Sequence, residues 1–366
     1  MNASTMTEQT SSIAAGGMPT QSMHGMEPPF ASIVIPTLNC AHEVDACIAA
    51  LRAQDYPASR FEIIVADNGS TDGSKERLEK LGVKVVVRPE RGRSRALNAG
   101  LAAARGDIIL TTDMGCVART NWISTVVACF ADPDVGCVAG EIKMIPSGDN
   151  LALRYQARNN YMSPLHALSR RKLPYLPFAD GANASFRRVV FETIGSFEES
   201  FFKGADVEIC YRLLVLTDYK LVFCPDCVTE ETGEPDLKAL LHQRFRMGMS
   251  ANLMRARFPE FYAGGKNRTS LRKLYWSTRE NLTGLSRFLA GIAKGDRAAM
   301  EDAIVRYLMG LAQSRGSRHG ARYLQQQPVR PTPLDGERLK EFMGRLDRLD
   351  ERVILRRMQP LHTADQ

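Results

Sequence analysis

Hydrophobic positions from residue 31 onward alternate between two periods. Four short apolar runs are typical of buried strands, at residues 32–35, 61–66, 83–87 and 108–112. Between the first two, apolar residues fall at i, i+3, i+4 and i+7, the spacing of one helix face: Val44, Cys47, Ile48 and Leu51. Asn39 is a candidate cap for that helix. The alternation predicts an α/β domain with a largely parallel sheet flanked by helices.

The same patterns continue along the next hundred residues. They predict a helix over 122–130, a strand over 135–142 and a helix over 207–217. Between them, residues 164–183 form a loop that contains Pro and Gly. A loop of this length in a compact domain is typical of a binding segment.

The pattern and the charge both change near residue 237, beyond which we expect no strands. Residues 238–323 hold 17 Lys and Arg against 5 Asp and Glu, a local excess of 17 − 5 = +12. Helices predicted over 271–292 and 299–313 mix apolar residues with Arg. This composition fits helices that pack on the α/β domain with a solvated basic face, or a basic amphipathic surface that lies on a membrane.

The two ends of the chain differ from the part between them. We expect residues 1–27, rich in Ser, Thr, Gly and Met, to be a disordered leader without the features of a signal peptide. A Pro-rich break at 328–333 precedes a charged helix predicted over 335–357. The predicted units are therefore the leader, an α/β domain over 28–236, a basic helical region over 237–325, and a linker with a charged helix over 326–366.

Composition restricts the class of protein further. The 366 residues are 44% hydrophobic and 24% charged, which fits a globular protein, and the net charge of +7 favours anionic partners. The sequence contains no run of about 18 apolar residues, the length that a membrane-spanning helix needs. Of the eight cysteines, Cys224 and Cys227 form a C-x-x-C pair, but no second pair follows at the spacing of a zinc ribbon. We therefore expect reduced thiols in a cytosolic protein.

Polar residues follow the predicted strands where ligands usually bind in an α/β sheet, at the carboxyl ends. The first strand leads into Pro36-Thr37-Leu38-Asn39, the second into Asp67 and a turn-forming segment up to Gly73, and the fourth into Asp113. Neither Gly-x-Gly-x-x-Gly nor a Walker-type Gly-Lys-Ser follows the first strand. This argues against a dinucleotide-dependent enzyme and an ATPase.

Taken together and in order, these segments resemble a known family. The strings Ile-Val-Ile-Pro-Thr-Leu-Asn and Ile-Val-Ala-Asp-Asn-Gly-Ser-Thr-Asp-Gly-Ser resemble the nucleotide-binding half of the family 2 glycosyltransferases. Further matching segments lie at residues 92–100, 106–113, 181–188, 194–197, 204–208 and 243–246. The resemblance covers about residues 31 to 250.

The resemblance implies a GT-A fold and transfer of a sugar from a nucleotide-sugar donor, most commonly a UDP-sugar, to an acceptor hydroxyl with inversion. Within that scheme Asp67 would accept hydrogen bonds from the donor base, and Arg93 would face the base or the diphosphate, where its planar set of donors suits phosphate oxygens. The positions that match nucleotide-sugar-binding residues are Pro36, Thr37, Asn39, Asp67, Arg93, Asn98 and Asp113.

Asp113 also matches the first residue of the family's Asp-x-Asp metal motif. The expected cofactor is Mg²⁺ or Mn²⁺, which neutralises charge on the leaving diphosphate. Met114 and Gly115 follow, so the second carboxylate is missing. The metal would be held by Asp113 with diphosphate and water, by another acid such as Glu230 or Glu231, or be replaced by arginines.

The family's general base matches Asp206, while Ala205 stands where an acidic residue usually precedes it. A carboxylate can take the acceptor proton as it becomes acidic. The alternative for Asp206 is a helix N-terminal acid stabilised by the helix dipole. Glu208 is expected to be structural or a helper.

Two segments resemble the acceptor and diphosphate side of the cleft. They contribute Gly181 and Asn183, and Gln243 and Arg246. Gln243 to Met247 resembles the Gln-x-x-Arg-Trp motif of processive relatives, with Met247 in place of Trp. Because the Trp is absent and no membrane channel is predicted, addition of a single sugar fits better than processive synthesis.

The sequence therefore predicts a glycosyltransferase of the hexosyltransferase class in polysaccharide or cell-envelope biosynthesis. Its acceptor would be a lipid-linked or cell-surface glycan intermediate, reached at the cytoplasmic face of a membrane of anionic lipid. A catalytically weak or inactive scaffold with the same fold is the alternative, motivated by the altered metal motif. A nucleotidyltransferase is less favoured, because its Gly-rich phosphate loop is missing, and no motif supports nucleic acid as a partner.

Overall fold

The computed structural model describes most of the chain from Glu27 onward. The described residues are 27–145, 148–167, 173, 175–201, 203–263, 286, 288–326, 329–332, 336–346 and 349–356. The predicted leader and most of the helix predicted over 271–292 lie outside them. No helix among the described residues is long and apolar enough to cross a membrane.

A nine-stranded mixed sheet forms the centre of the molecule. The strands are β1 Ala31–Thr37, β2 Phe61–Asp67, β3 Lys84–Val87, β4 Ile108–Thr112, β5 Cys116–Ala118, β6 Val135–Met144, β7 Asn183–Arg187, β8 Lys220–Glu231 and β9 Val353–Leu355. Their order is β3-β2-β1-β4-β7-β6-β8-β5, with β9 also paired to β8. The first four strands are parallel, whereas β7 runs antiparallel to both of its neighbours.

Helices cover both faces of this sheet. They are α1 Val44–Arg52, α2 Ser74–Lys80, α3 Arg93–Ala103, α4 Trp122–Cys129, α5 Leu151–Asn159, α6 Arg188–Ile194, α7 Ala205–Leu216, α8 Leu237–Arg257, α9 Pro259–Ala263, α10 Arg297–Gln326, α11 Gly336–Arg345 and α12 Leu349–Arg352. Short 3₁₀ turns lie at Ala58–Arg60 and Pro164–Ala167.

The pleat of the strands divides the core in two. On β1, Val34 faces one layer, which contains the apolar sides of α3, α6 and α7. Ile33 and Ile35 face the opposite layer, formed with α1 and α4. A strand whose successive residues are all buried in this way must lie inside an α/β sandwich, which confirms the predicted fold class.

The carboxyl-terminal segment differs from the prediction. Instead of one helix over 335–357, it forms α11, α12 and then β9, so the expectation that no strand follows residue 237 is wrong. Val353 pairs with Leu221 of β8, and Arg352 donates hydrogen bonds to carbonyls at the end of α7, including that of Tyr219 at 2.9 Å. Val353, Ile354 and Leu355 are consecutive apolar residues, two of them β-branched. Their pairing with the open edge of β8 is more favourable than their exposure on a solvated helix.

The predicted helix over 299–313 is confirmed as part of the longer α10, which crosses α8 very closely. A Cβ on Gly316 would lie 1.9 Å from the carbonyl oxygen of Phe245, and one on Gly248 would lie 2.1 Å from that of Gln313. Only glycine permits this approach of two backbones. The crossing fixes α8, which carries Gln243 and Arg246, against the rest of the domain.

Candidate active site

The carboxyl ends of β1, β2 and β4 meet at one edge of the sheet, where β7 begins. Thr37 is in register with Asp67, and Thr112 is in register with Asn183. Asp113 directly follows β4, so it lies between the loop that ends β1 and the segment that precedes β7. The topology thus gathers the predicted donor-binding residues around one cleft.

The loops after β1 and β2 hold each other in place. The buried Asp67 carboxylate accepts hydrogen bonds from the backbone N–H groups of Gly69 at 3.1 Å and Ser70 at 3.2 Å. Asn39, which has a left-handed backbone with φ 56°, donates its N–H to Ser70 Oγ and accepts from Thr71 N, both at 2.9 Å. Pro36 and Thr37 precede this junction. These residues therefore shape one wall of the cleft.

Asn68, which the sequence analysis did not single out, sets the start of α3. Its side chain donates to the carbonyls of Arg88 and Glu90 at 2.8 Å and accepts from Gly92 N at 2.7 Å. Helix α3 begins at the next residue, Arg93. The Asn68 side chain thereby fixes where the Arg93 side chain starts.

Arg93 is the centre of the cleft. Its Nη2 donates to Asp113 Oδ1 at 2.5 Å, and a Cβ at position 181 would lie 2.9 Å from both of its terminal nitrogens. Gly181 is therefore required because it leaves room for the guanidinium. Gly181 N in turn donates to Asp206 Oδ2 at 2.9 Å. Four residues that are distant in sequence are thus joined in one contact network: Arg93, Asp113, Gly181 and Asp206.

Electrostatics in this network favour a charged Arg93. Burial alone lowers the pKa of the Arg93 guanidinium, but the carboxylates of Asp113, Asp206 and Asp180 raise it by more, so its pKa lies above the ordinary value. A guanidinium surrounded by carboxylates, with 27% of its side chain exposed, can exchange part of this contact for a phosphate.

Two further carboxyl groups share the cleft. Burial, and then the charge of Asp206, raise the pKa of Asp180 to about 6. Burial, followed by the charges of Asp113 and Asp180, raises the pKa of Glu231 to about 8. Lys203 opposes both shifts. The carboxyl groups repel one another, and a bound cation would relieve that repulsion.

Glu231, rather than Glu230, is the acid that faces the metal motif. Glu231 on β8 is in register with Cys116 of β5, three residues after Asp113, and its buried Oε2 has no hydrogen-bond partner among the described residues. Glu230 instead forms an ion pair with Arg119 at 3.0 Å. Carboxylate oxygens are the donors that Mg²⁺ or Mn²⁺ prefers, so the chemistry of Glu231, Asp113 and Asp180 fits such an ion. Among the described residues their oxygens do not gather within 4.8 Å of one another, so the three carboxylates do not form a preassembled metal site.

The residues after Asp113 cannot take the place of the missing second Asp. Met114 is buried in the core at 2% exposure. A Cβ at Gly115 would lie 3.1 Å from Glu43 Oε1, so a carboxylate introduced there would meet an existing one. Any second carboxylate for a metal must come from another segment of the chain.

Asp206 and Glu208 lie in the first turn of α7 and have different surroundings. The Asp206 carboxylate accepts from Gly181 N and from Val207 N, both at 2.9 Å, at the mouth of the cleft. Glu208 is fully buried and pairs with Arg212 and Arg257, each at 2.8 Å. Asp206 is therefore positioned at the cleft, whereas Glu208 holds α7 to the core.

Helix α8 brings Gln243 and Arg246 to the open side of the cleft. Gln243 donates to Glu234 Oε1 at 2.9 Å and accepts from the Tyr161 hydroxyl at 3.1 Å. The pKa of Arg246 lies below its ordinary value. Burial is the largest cause, Glu234 opposes the shift, and the charge of Arg93 adds to it. The two arginines are thus close enough to act on the same anion.

Two predicted site residues have other partners. The Asn183 side chain is 1% exposed, accepts from Trp122 Nε1 at 2.8 Å and donates to the carbonyls of Glu141 and Cys227 at 2.9 and 2.8 Å. Asn98 donates to the carbonyl of Phe197 at 2.9 Å and accepts from its N–H at 3.0 Å. Both amides tie segments of the protein together, and their contact with a donor or an acceptor stays a prediction.

The sequence analysis did not identify Asp180, Lys203 and Glu234. Asp180 directly precedes Gly181, and an acid next to a matched glycine is a signal that could have been used. Lys203 and Glu234 sit in connecting segments whose place beside the cleft depends on how α7 and α8 pack. Their local sequence contains no such signal.

Proteins with similar sequences are glycosyltransferases. Residues 32–195 match the family model "Glycosyl transferase family 2". The glycosyltransferase AglE of Haloferax volcanii is 30% identical over 229 residues, which are 60% of this chain and 72% of that protein. A pre-mycofactocin glycosyltransferase of Mycobacterium tuberculosis is 26% identical over 239 residues, 63% of this chain and 48% of its own length.

Among solved structures, the mannosyltransferase PcManGT from Pyrobaculum calidifontis, in complex with GDP-Man and Mn²⁺, aligns with a TM-score of 0.49 and 19% identity. That alignment covers 87% of this chain and 79% of the other. The sequence relationship to AglE is strong enough to assign the family, and the mixed sheet flanked by helices agrees with the GT-A fold. The chain therefore belongs to glycosyl transferase family 2 and is a glycosyltransferase.

Proposed function

We propose that this glycosyltransferase adds one sugar from a nucleotide-sugar donor, of the UDP class, to an acceptor hydroxyl, with inversion at the anomeric carbon. The observation that carries the proposal is the contact network in which Arg93 binds Asp113 and lies against Gly181, whose N–H binds Asp206. A guanidinium suited to the diphosphate and a carboxylate suited to the acceptor hydroxyl thus lie beside the same glycine, Gly181.

Asp206 is the general base of this proposal. Its carboxylate is fixed by two backbone N–H groups, and the acceptor hydroxyl would give it a proton as the new glycosidic bond forms. Arg93 and Arg246 would bind the oxygens of the leaving diphosphate as its negative charge increases. In an inverting displacement, nucleophile and leaving group occupy opposite faces of the sugar, which requires these two functions to be separated.

A divalent cation fits beside the arginines. Mg²⁺ or Mn²⁺ would be held by Asp113 with Asp180 and Glu231, and when bound it neutralises charge on the diphosphate. With only one carboxylate of the usual motif present, we expect weaker dependence on the metal than in relatives that have two.

The acceptor proposed is a lipid-linked or cell-surface glycan intermediate. Support comes from a relative whose name states such a substrate, a dolichyl N-acetyl-α-D-glucosaminyl phosphate 3-β-D-2,3-diacetamido-2,3-dideoxy-β-D-glucuronosyltransferase from Methanococcus voltae, 23% identical over 240 residues. PcManGT was solved with GDP-Man, and TarS of Staphylococcus aureus with UDP. The donor test below therefore includes both nucleotides.

We expect one member of a panel of UDP-, GDP- and dTDP-sugars to raise the melting temperature, because a ligand that binds only the native state stabilises it. Arg93→Ala should weaken the binding of that donor by about 10- to 100-fold, since a charged hydrogen bond to phosphate contributes about 1.5–3 kcal/mol. Thermal shift with and without Mn²⁺, followed by calorimetry for the dissociation constant, measures both effects.

The matched control is Arg95→Ala, two residues along the same helix, where the side chain pairs with Glu199. Donor affinity should be unchanged in that variant. An equal loss of donor affinity in both variants would show that Arg93 does not bind the donor. If none of the nucleotide sugars raises the melting temperature, the inactive scaffold is favoured.

The outer face of α10 supports the proposal that the enzyme lies on the inner face of an anionic membrane. Six residues share one helix face at 3.6 residues per turn. The first three are apolar and exposed, and the last three are exposed arginines: Ile304, Tyr307, Leu311, Arg315, Arg318 and Arg322. Apolar insertion combined with positive charge is the pattern of an interfacial helix.

The double variant Arg318→Glu, Arg322→Glu should reduce binding to anionic vesicles by about tenfold or more, because each basic residue near such a surface contributes on the order of 1 kcal/mol. Binding of the unmodified protein should also weaken as salt shortens the Debye length. Co-sedimentation at low and high salt measures both. Reversal of Lys75 and Lys80 on α2 is the control, and an unmodified protein that stays in the supernatant with anionic vesicles at low salt contradicts the docking proposal.

A further inference from the structure

Three cysteine sulfurs meet in the core, on the face of the sheet opposite α7. The Sγ atoms of Cys129, Cys224 and Cys227 all lie within 4.8 Å of one another. Each of the three residues is 0% exposed, and all belong to the same apolar layer as α1 and α4. The glycosyl-transfer site uses none of them.

A bulge in β8 makes the cluster possible. Residues three apart on a regular strand point to opposite faces of a sheet. Here Cys224 is in register with Gly140 of β6, and Val228 with the next residue, Glu141, so residues 225–227 are extra on β8. The bulge turns both cysteines of the C-x-x-C pair toward Cys129 at the end of α4.

Hydrogen bonds hold the bulge in this shape. Asn183 donates to the carbonyl of Cys227 at 2.8 Å, and Arg119 N donates to that of Val228 at 3.1 Å. Buried backbone groups that would be unpaired in a bulge are thereby satisfied. The two cysteines are consequently presented to α4 by a fixed backbone.

The ligand set selects the kind of ion. Zn–S bonds are about 2.3 Å long, so thiolates around one tetrahedral ion stand about 3.8 Å apart, and sulfurs within 4.8 Å can reach a shared ion by small side-chain rotations. Three sulfurs favour a soft or borderline metal such as Zn²⁺ over Mg²⁺ or Mn²⁺. A lone C-x-x-C pair supplies two ligands, whereas here α4 adds a third to the two from β8.

Positive charge is available to balance the site. Three thiolates with one Zn²⁺ carry a net charge of −1, which is costly in an apolar layer without a partner. Arg356, just after β9, donates its Nη1 to the carbonyl of Cys129 at 3.4 Å and its backbone N–H to that of Phe223 at 2.9 Å. The guanidinium therefore lies beside the cluster.

We propose that Cys129, Cys224 and Cys227 bind one Zn²⁺ ion. The ion clamps the end of α4 to the bulge of β8, the strand whose last residue, Glu231, reaches the candidate active site. The three sulfurs fill three of the four positions of a tetrahedral ion. The role of the ion is structural, since the cluster is buried in the apolar layer on the other side of the sheet from α7, which carries Asp206. The proposal does not depend on the donor or the acceptor of the transfer reaction.

Metal content of the full-length protein, purified under reducing conditions without a metal-affinity step, tests the site. We expect one zinc per chain, retained in Cys137→Ala, whose thiol is equally buried on β6, and lost in Cys129→Ala and in Cys224→Ala. Removal of zinc with a strong chelator should lower the melting temperature by about 5 °C or more, and added Zn²⁺ should restore it.

Cadmium titration of the unmodified, zinc-free protein keeps the test valid where a cysteine variant does not fold. Cd²⁺ bound by three thiolates should give a thiolate-to-metal absorption band that saturates at one equivalent. The proposal would be overturned if the protein contains no zinc as isolated and the cadmium titration also gives no such absorption band. A disulfide between two of these cysteines under reducing conditions, found as a mass two hydrogens lower, would overturn it equally.

Discussion

Asp206→Asn is expected to lower turnover by about 10² to 10⁴-fold and to leave donor affinity nearly unchanged. The amide keeps one oxygen, which can accept the hydrogen bond from Gly181 N, and loses the bond from Val207 N to the other oxygen. The amide cannot take the acceptor proton. Loss of general-base catalysis acts on the reaction step and not on donor binding. The result is a fall in kcat at a constant donor dissociation constant.

Initial rates with the donor identified by thermal shift, and with extracted lipid-linked glycans as acceptors, measure the fall. Asp45→Asn, a surface carboxylate on α1 that pairs with Arg77, is the control and should retain full activity. The donor dissociation constant, measured in parallel, provides a second readout, because it should not change when the base is removed. Turnover near wild type in Asp206→Asn would show that the base lies elsewhere.

Glu208→Ala is expected to lower the free energy of unfolding by about 3–5 kcal/mol. The Glu208 carboxylate is fully buried and accepts hydrogen bonds from Arg212 and Arg257 at 2.8 Å. Its removal leaves the buried guanidinium of Arg212 without an anion and leaves Arg257 with only the longer contact to Glu198, at 3.6 Å. A buried charge that loses its partner keeps its desolvation cost and loses the compensating attraction.

Urea denaturation followed by circular dichroism measures this change as a lower midpoint at an unchanged slope. Asp206→Asn, two residues away, should unfold at the same urea concentration as wild type. The two acids in the first turn of α7 therefore have distinguishable roles. The Asp206 variant should lose turnover but keep its free energy of unfolding, whereas the Glu208 variant should lose free energy of unfolding. An unchanged midpoint in Glu208→Ala would contradict the prediction and would mean that Glu198, 3.6 Å from Arg257, and the carbonyls that Arg212 already contacts compensate for the lost carboxylate.

Much of the fold could be predicted from the chain alone. The runs that became β1, β2 and β4 are largely apolar on both faces, a pattern typical of strands buried on both sides of a sheet, whereas the run that became β3 lies at the sheet edge and is partly exposed. The helix from Val44 to Leu51 follows from its own periodicity. These predictions succeed because each depends on residues within one turn or one strand of each other.

The candidate site could be predicted only in part. Asp113 and Asp206 were placed by their order in a family-like pattern, and the structure brings both to Arg93. Asn183 and Asn98 matched the same pattern, but their amides bind other protein groups. A motif identifies the position of a residue along the chain, whereas the direction of its side chain depends on neighbours that come from distant segments.

What the sequence by itself determined is the strands β1 to β4 and β6, the helices α1, α4 and α7, and the loops that follow the first strands, because hydrophobic period and turn residues act locally. Only the tertiary structure decided that Glu231 rather than Glu230 faces Asp113, since that choice depends on the register of β8 against β5. It also decided that Cys129 joins the C-x-x-C pair, through a bulge invisible in the spacing. Contacts between residues far apart along the chain depend on how the elements pack, and packing is a property of the whole fold.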